Sequence, residues 1–186
     1  MKGYKVKMKS LIIYWSAGGN TKKVADSIEK ALLEKNIEVD IMKITEMLDV
    51  DLFQYDLVFL GSPSYQFLPP ENVIKYIKKN LGRYGKVGVR ELRAPKKPNK
   101  YAVVFCTYSG VHTGIKEAYT AGKYIAQFFE HLGFLVFNEW YIVGKFHGRE
   151  EVNKYGKLGD ISDRPNKQDL DIIYQETIDL LKGLGV

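Results

Sequence analysis

Five short apolar runs alternate with stretches of helical periodicity along almost the whole chain. Leu11–Trp15, Leu57–Leu60 and Tyr101–Cys106 are apolar throughout, which predicts strands that are buried on both faces. Ile37–Ile44 and Phe134–Val143 predict two further strands, and the alternating pattern of the first favours one solvated face or an edge position.

The stretches that separate these strands have apolar residues at helical spacing. Predicted helices cover Thr21–Lys35, Glu71–Lys79, Ile115–Leu132 and Lys167–Leu184. Strands separated by helices form a parallel sheet with right-handed crossovers. The sequence therefore predicts an α/β fold in a single domain over residues 1–186, with a basic loop insertion at about 82–100 that is rich in Gly, Pro and Lys.

Three loops rich in Gly, Ser and aromatic residues follow three separate buried strands. They cover Ser16–Thr21, Gly61–Phe67 and Thr107–Gly114. In open parallel sheets, ligands bind beyond the carboxyl ends of the strands, where the strand order reverses. If these strands are neighbours, we expect the three loops to converge on one binding site.

The first loop, Ser-Ala-Gly-Gly-Asn-Thr, leads directly into a predicted helix. Its backbone N–H groups, its two glycines and the hydroxyls of Ser16 and Thr21 suit a phosphate dianion at a helix N-terminus. The loop has neither the Gly-Lys-Ser/Thr of a Walker A sequence nor a G-x-G-x-x-G fingerprint. An ordinary tight turn with Thr21 near the helix cap is the alternative interpretation.

The second and third loops contain aromatic residues that suit a flat ring system. Tyr65 lies in the second loop, and Tyr108 and His112 lie in the third. We expect Phe67 to pack under the corner that Pro69 and Pro70 form. The three histidines lack metal-ligand spacing, and Cys106 is predicted to be a buried strand residue, so neither a metal nor a catalytic residue is assigned.

The charge is unevenly distributed and gives a net +6. Lys2, Lys5, Lys7 and Lys9 contribute +4 near the start, and residues 75–100 contain ten Lys/Arg against the single acid Glu91. Such a basic segment could bind nucleic acid. We favour a solvated insertion, with no nucleic-acid partner. The longest apolar run is too short to span a bilayer, and a lone cysteine fits a reducing cytoplasm.

Four segments, in this order, resemble those of the flavodoxins. "YWSAGGNT" resembles their phosphate loop, and "DLVFLGSPSY" resembles their third strand and the loop that covers one flavin face. "VVFCTYSG" resembles the fourth strand with the loop on the other side, and "SDRPNKQDL" resembles the stretch before the last helix. The resemblance covers nearly the whole chain.

The resemblance implies a flavodoxin-like three-layer sandwich with strand order 2-1-3-4-5 and non-covalently bound FMN. Ser16, Gly19, Asn20 and Thr21 match the phosphate loop, whereas Gly18 stands where the family usually has threonine. Tyr65 aligns with an aromatic residue that stacks on the flavin, Gln66 stands where many flavodoxins have glycine, and the second flavin face falls to Tyr108 or His112. The implied cofactor-binding residues are Ser16, Ala17, Gly18, Gly19, Asn20, Thr21, Ser62, Pro63, Ser64, Tyr65, Gln66, Thr107, Tyr108, Ser109, Gly110, His112 and Gly114.

Two functions are compatible with this resemblance. A carrier would exchange electrons with a redox partner protein, which would be acidic if the basic segment reaches the flavin edge. An FMN-dependent NAD(P)H:quinone-type oxidoreductase would reduce a small-molecule acceptor instead. A phosphorylated receiver domain is disfavoured because Ser16 and Gly61 stand where that class needs acidic residues. We expect a cytoplasmic electron carrier that does not bind a membrane.

Overall fold

The computed structural model describes residues 8–186, in which the five predicted strands form one parallel sheet. The strands are β1 (Lys9–Tyr14), β2 (Glu38–Lys43), β3 (Leu57–Pro63), β4 (Tyr101–Tyr108) and β5 (Leu135–Val143). Their order is β2-β1-β3-β4-β5, so the predicted fold class, strand order and edge position of β2 are confirmed. Of the basic N-terminal residues, Lys2, Lys5 and Lys7 lie outside the described residues.

Four helices connect or follow these strands at the predicted places. They are α1 (Asn20–Glu34), α2 (Glu71–Lys86), α3 (Lys116–His131) and α5 (Lys167–Gly183). Two short elements were not predicted: a 3₁₀ turn at Leu52–Gln54 and α4 (Glu150–Tyr155), which lies between β5 and α5.

The sheet separates two apolar cores because successive strand side chains point to opposite faces. Leu11 and Ile13 of β1 pack into the core that contains side chains of α2 and α3. Ile12 packs into the other core with side chains of α1 and α5. The result is the predicted three-layer arrangement, with α1 and α5 on one face of the sheet.

The prediction that α2 ends at Lys79 was wrong, because the helix continues to Lys86. Gly82 and Gly85 had indicated a loop, but the buried face of the helix continues through Asn80 and Tyr84. The Tyr84 hydroxyl donates to the Asp51 carboxylate at 3.0 Å and accepts from the Leu52 N–H at 2.8 Å. These tertiary contacts stabilise helical backbone where local propensity is poor.

The segment after α2, residues 87–100, lies at the amino edge of the sheet. The Lys97 N–H donates to the Gly133 carbonyl at 2.8 Å, and the Lys100 ammonium donates to the Tyr55 carbonyl at 2.8 Å. Gly133 and Tyr55 lie two residues before the first residues of β5 and β3. The basic loop is therefore at the opposite end of the strands from the three candidate loops.

Candidate functional site

The loop between β1 and α1 ends at Gly19, the N-cap of α1. Gly19 has φ +93°, a conformation that glycine adopts without strain, and a Cβ there would meet no atom within 4 Å. Its own N–H donates to the Ser16 hydroxyl oxygen at 3.1 Å. The N–H groups of the first helical turn have no partner within a helix, and a glycine N-cap brings no side chain to accept from them. The start of α1 therefore has backbone N–H donors that no capping side chain satisfies.

Hydrogen bonds join this first loop to two neighbouring segments. The Thr21 hydroxyl, 1% exposed, pairs with the Thr107 hydroxyl at the end of β4 at 2.9 Å. The Asn20 side-chain amide donates to the Lys145 carbonyl just after β5 at 2.9 Å. Ala17 and Gly18 remain exposed between the two anchored ends. The middle of the loop is thus exposed to solvent, while hydrogen bonds to β4 and to the residue after β5 hold its C-terminal end.

The second loop reaches the same edge of the sheet from β3. The Ser64 N–H donates to the Thr107 carbonyl at 2.8 Å, and the Ser64 hydroxyl donates to the Glu117 carbonyl at 2.6 Å. Ser62 and Pro63, which the flavodoxin resemblance included, are buried within β3 itself. Of these three residues, only Ser64 belongs to the partly exposed loop.

Beyond Ser64 the chain makes a tight turn that is strained. Tyr65 and Leu68 exchange two backbone hydrogen bonds, and the residues between them, Gln66 and Phe67, have φ of +48° and +71°. Two successive positive φ values are those of a type I′ turn, which normally contains Asn or Gly. Gln66 therefore has the left-handed backbone that glycine adopts most easily, at a cost of about 1–3 kcal/mol per strained residue.

Aromatic side chains of this turn are exposed at the carboxyl edge. Tyr65 is 48% exposed, and its ring meets Trp15 edge-on with 5.9 Å between ring centroids. Desolvation raises the pKa of Tyr65, which keeps its hydroxyl neutral. Phe67 is 57% exposed, so the prediction that it packs under Pro69 and Pro70 was wrong. Its positive φ turns it outward at the tip of the turn.

The third loop follows β4 and is fixed at both ends. The Ser109 hydroxyl donates to the Gly144 carbonyl at 3.0 Å, and the backbone N–H of His112 donates to the Glu117 carboxylate at 2.7 Å. Gly110 and Gly114 approach so closely that a Cβ on Gly110 would lie 2.9 Å from the Gly114 Cα.

The two candidates for the second flavin face differ in their surroundings. Tyr108 is 8% exposed, and burial is the main cause that raises its pKa, with Arg164 opposing the shift. The His112 side chain is exposed in the loop. Cys106 is completely buried in β4, as predicted, and burial strongly raises the pKa of its thiol, which leaves it unsuited to nucleophilic chemistry.

Sequence reasoning missed a fourth segment at this edge, residues 144–166, which we call the strap. A Cβ placed on Gly18 would lie 2.2 Å from both Nε2 and Cδ2 of His147, so the ring of this strap residue lies against the first loop. Leu158 lies against Gly114, and the Lys157 N–H donates to the Val111 carbonyl at 2.8 Å. The position of the strap at this edge was predictable, because the segment after a parallel β5 begins at the same edge as the other three loops.

Two open clefts lie away from these loops. One of about 450 Å³ lies between α3 and β5, and one of about 830 Å³ lies between α1 and α5. Neither is lined by residues 16–21, 62–67 or 107–114. Within residues 8–186, no group of three or more His, Cys, Asp or Glu side chains is placed to hold a metal, and no helix is long and apolar enough to cross a membrane.

Comparison with known sequences identifies one domain family. A flavodoxin domain model matches residues 11–135. The flavodoxin-like domain-containing protein BilS of Clostridioides difficile is 46% identical over 56 residues, 29% of this chain and 30% of that protein. An uncharacterized protein of Methanocaldococcus jannaschii is 26% identical over 168 residues, 84% of this chain and 37% of that protein. The matches thus span only about a third of these relatives' own lengths.

Solved structures share the fold at low sequence identity. A flavodoxin from the domain Archaea superposes with a TM-score of 0.62 at 19% identity, covering 96% of this chain and all of that one. Oxidised flavodoxin 1 of Bacillus cereus gives a TM-score of 0.65 at 17% identity, covering 94% of this chain and 97% of that one. The superposition extends the likeness beyond residue 135, to the fold of nearly the whole chain.

Proposed function

Because the chain belongs to the flavodoxin family, whose cofactor is a flavin, we propose that it binds FMN non-covalently at the carboxyl edge and passes electrons to a redox partner. The observation that carries this proposal is the start of α1. Its backbone donors lie beside the exposed Ala17 and Gly18, at the same edge as the exposed ring of Tyr65. A phosphate and a flat ring are the two ends of FMN.

The first loop fits the phosphate end of FMN. Its glycine N-cap leaves the space that an ordinary capping side chain would fill, and the helix dipole favours an anion there. Ser16 uses its oxygen to accept from Gly19, which leaves its O–H available to a phosphate oxygen. Thr21 pairs with Thr107 and fixes the loop against β4.

The second and third loops fit the ring end. Tyr65 is held edge-on by Trp15 and offers its face to a flat ligand. When bound, FMN supplies one- and two-electron redox chemistry, and these side chains orient the ring and limit its contact with water. The high exposure of Tyr65 and Phe67 supports a ring edge that a partner protein can approach directly.

The charge distribution bears on the partner. The predicted acidic partner required the basic segment to reach the flavin edge, but its loop part, residues 87–100, packs at the amino edge, and its remaining residues belong to α2. We therefore propose a redox partner that docks against the aromatic side chains at the carboxyl edge, without guidance from that loop. A cytoplasmic location, predicted from the lone Cys106, remains part of this proposal.

Two kinetic measurements separate a carrier from an NAD(P)H:quinone-type oxidoreductase. The FMN-loaded, reduced protein is mixed with a one-electron acceptor such as a c-type cytochrome, and NADH or NADPH oxidation is followed separately with a quinone. A carrier reduces the cytochrome rapidly and oxidises nicotinamide slowly. Lys96→Glu, at the amino edge, should leave the cytochrome rate unchanged. Saturable nicotinamide oxidation with the quinone, without any partner protein, would contradict the carrier function.

A further inference from the structure

The strap, residues 144–166, is anchored so that its first residues face the loop between β1 and α1. The side chain of Asn153, 1% exposed, accepts from the Phe146 N–H at 2.7 Å and donates to the Phe146 carbonyl at 2.9 Å. The Lys145 N–H donates to the Arg164 carbonyl at 2.9 Å, and the Lys145 carbonyl accepts from Asn20. The two residues that precede His147 are therefore held by hydrogen bonds to Asn153, Arg164 and Asn20.

That residue, His147, lies where a side chain on Gly18 would otherwise extend. The Cβ position of Gly18 is 2.2 Å from the ring atoms Nε2 and Cδ2, so the glycine makes room for the imidazole. The side chain is exposed, and within residues 8–186 its ring nitrogens have no hydrogen-bond partner. An imidazole with both nitrogens unpaired thus lies against the loop proposed to hold a phosphate.

The first loop itself has no charged side chain in Ser-Ala-Gly-Gly-Asn-Thr. Its donors are neutral, whereas FMN carries a phosphate dianion. An imidazole N–H is a hydrogen-bond donor in either protonation state of the ring. A hydrogen bond to an ionised acceptor, such as a phosphate oxygen, is about twice as strong as one between two neutral groups.

We propose that His147 donates to the flavin phosphate from the strap and adds to the selectivity of the first loop for phosphorylated over unphosphorylated flavin. The inference rests on the proposed FMN function. In this proposal His147 supplies the phosphate contact that Gly18, which has no side chain, does not make. The neighbouring Arg149, whose guanidinium pairs with Glu151, has no such role.

The test compares the dissociation constants of FMN and riboflavin by quenching of flavin fluorescence. His147→Phe retains a ring against Gly18 but removes both nitrogens, whereas His147→Gln retains a neutral donor. Arg149→Gln is the matched control, because it removes a full charge from the same segment. Circular dichroism on each variant checks that the fold is retained.

We expect His147→Phe to weaken FMN binding by roughly ten- to hundredfold, with riboflavin binding unchanged. His147→Gln should fall between His147→Phe and wild type, and Arg149→Gln should stay close to wild type. Unchanged FMN binding in His147→Phe, or equal losses for FMN and riboflavin, would overturn the inference while leaving the proposed function intact. Failure of the wild type to bind FMN would instead overturn the proposed function, and this inference with it.

Discussion

Helices α1 and α5 pack side by side on one face of the sheet, yet their first turns are built in opposite ways. At α5, the Asn166 side chain accepts from the N–H groups of Gln168 and Asp169, and the Asp169 carboxylate accepts from the Asn166 N–H at 2.9 Å. The Asp169 carboxylate also pairs with Arg164. At α1, Gly19 occupies the N-cap without a side chain. The first-turn donors of α5 have side-chain acceptors within the helix start, whereas those of α1 have no capping side chain.

The two helix starts therefore serve different purposes: the cap of α5 contributes to stability, whereas the proposed role of the uncapped start of α1 is binding. A capping side chain stabilises a helix by about 0.5–2 kcal/mol relative to alanine but by only a few tenths relative to glycine, so the Gly19 N-cap leaves the first-turn donors without a side-chain acceptor at little cost in stability. The tertiary contacts of Val24 and Ile28 with the core hold α1 in place without a cap. A helix that is already held by its core can present bare donors, and this is the arrangement that an anion site needs.

The largest effect is expected when α1 is given the acidic cap that it lacks. In Gly19→Asp, a carboxylate would accept from the first-turn donors and repel the phosphate, weakening FMN binding by at least about 3 kcal/mol. The site has room for the side chain, and Asp tolerates positive φ better than most residues. Gly19→Asn, of the same size but uncharged, is the control and should lose less. Wild-type FMN affinity in Gly19→Asp, measured by fluorescence titration, would contradict a phosphate at this helix start.

A smaller loss of FMN affinity is expected at the second residue of α1. Thr21→Ala removes the hydroxyl that fixes the loop against Thr107, which should weaken FMN binding by about 1–3 kcal/mol and riboflavin binding less. Thr177→Ala is the matched control on α5, because that buried hydroxyl donates to the Ile173 carbonyl within the helix. Its variant should lose stability but not affinity. If the two variants bind FMN equally well, the first loop is only a turn.

The smallest effect is expected at the capped start of α5, and it is a loss of stability, not of FMN affinity. Asn166→Ala should lower the free energy of unfolding by about 1 kcal/mol in urea denaturation, because two first-turn N–H groups lose their acceptor. FMN affinity should not change. A drop in FMN affinity as large as that of Thr21→Ala would show that the start of α5 belongs to the site, and the comparison between the helices would fail.

Local sequence patterns were sufficient for the parts of the fold that periodicity determines. The buried apolar runs of β1, β3 and β4 and the small-residue loops after them predicted both the sheet and the edge where the loops meet. The C-terminal end of α2 was not predictable in this way. Its last turns depend on the contact of Tyr84 with Asp51 and Leu52, residues that precede β3 in the chain.

The strap was missed for a related physical reason. Its role depends on contacts such as that between Asn20 and the Lys145 carbonyl, which are 125 residues apart in sequence. No periodicity marks His147 as a neighbour of Gly18. Likewise, the exposure of Phe67 follows from a strained turn with two positive φ values, which the residues Gln-Phe do not favour locally.

Titration of the purified, flavin-free protein with FMN tests the central claim most directly. Absorption spectra and flavin fluorescence are recorded at each addition, riboflavin is titrated in parallel, and circular dichroism monitors the fold. The bare start of α1 and the aromatic loops predict one-to-one FMN uptake with quenched fluorescence, and weaker uptake of riboflavin. A folded protein that takes up no FMN, or that binds riboflavin equally well, would contradict a phosphate site at the start of α1.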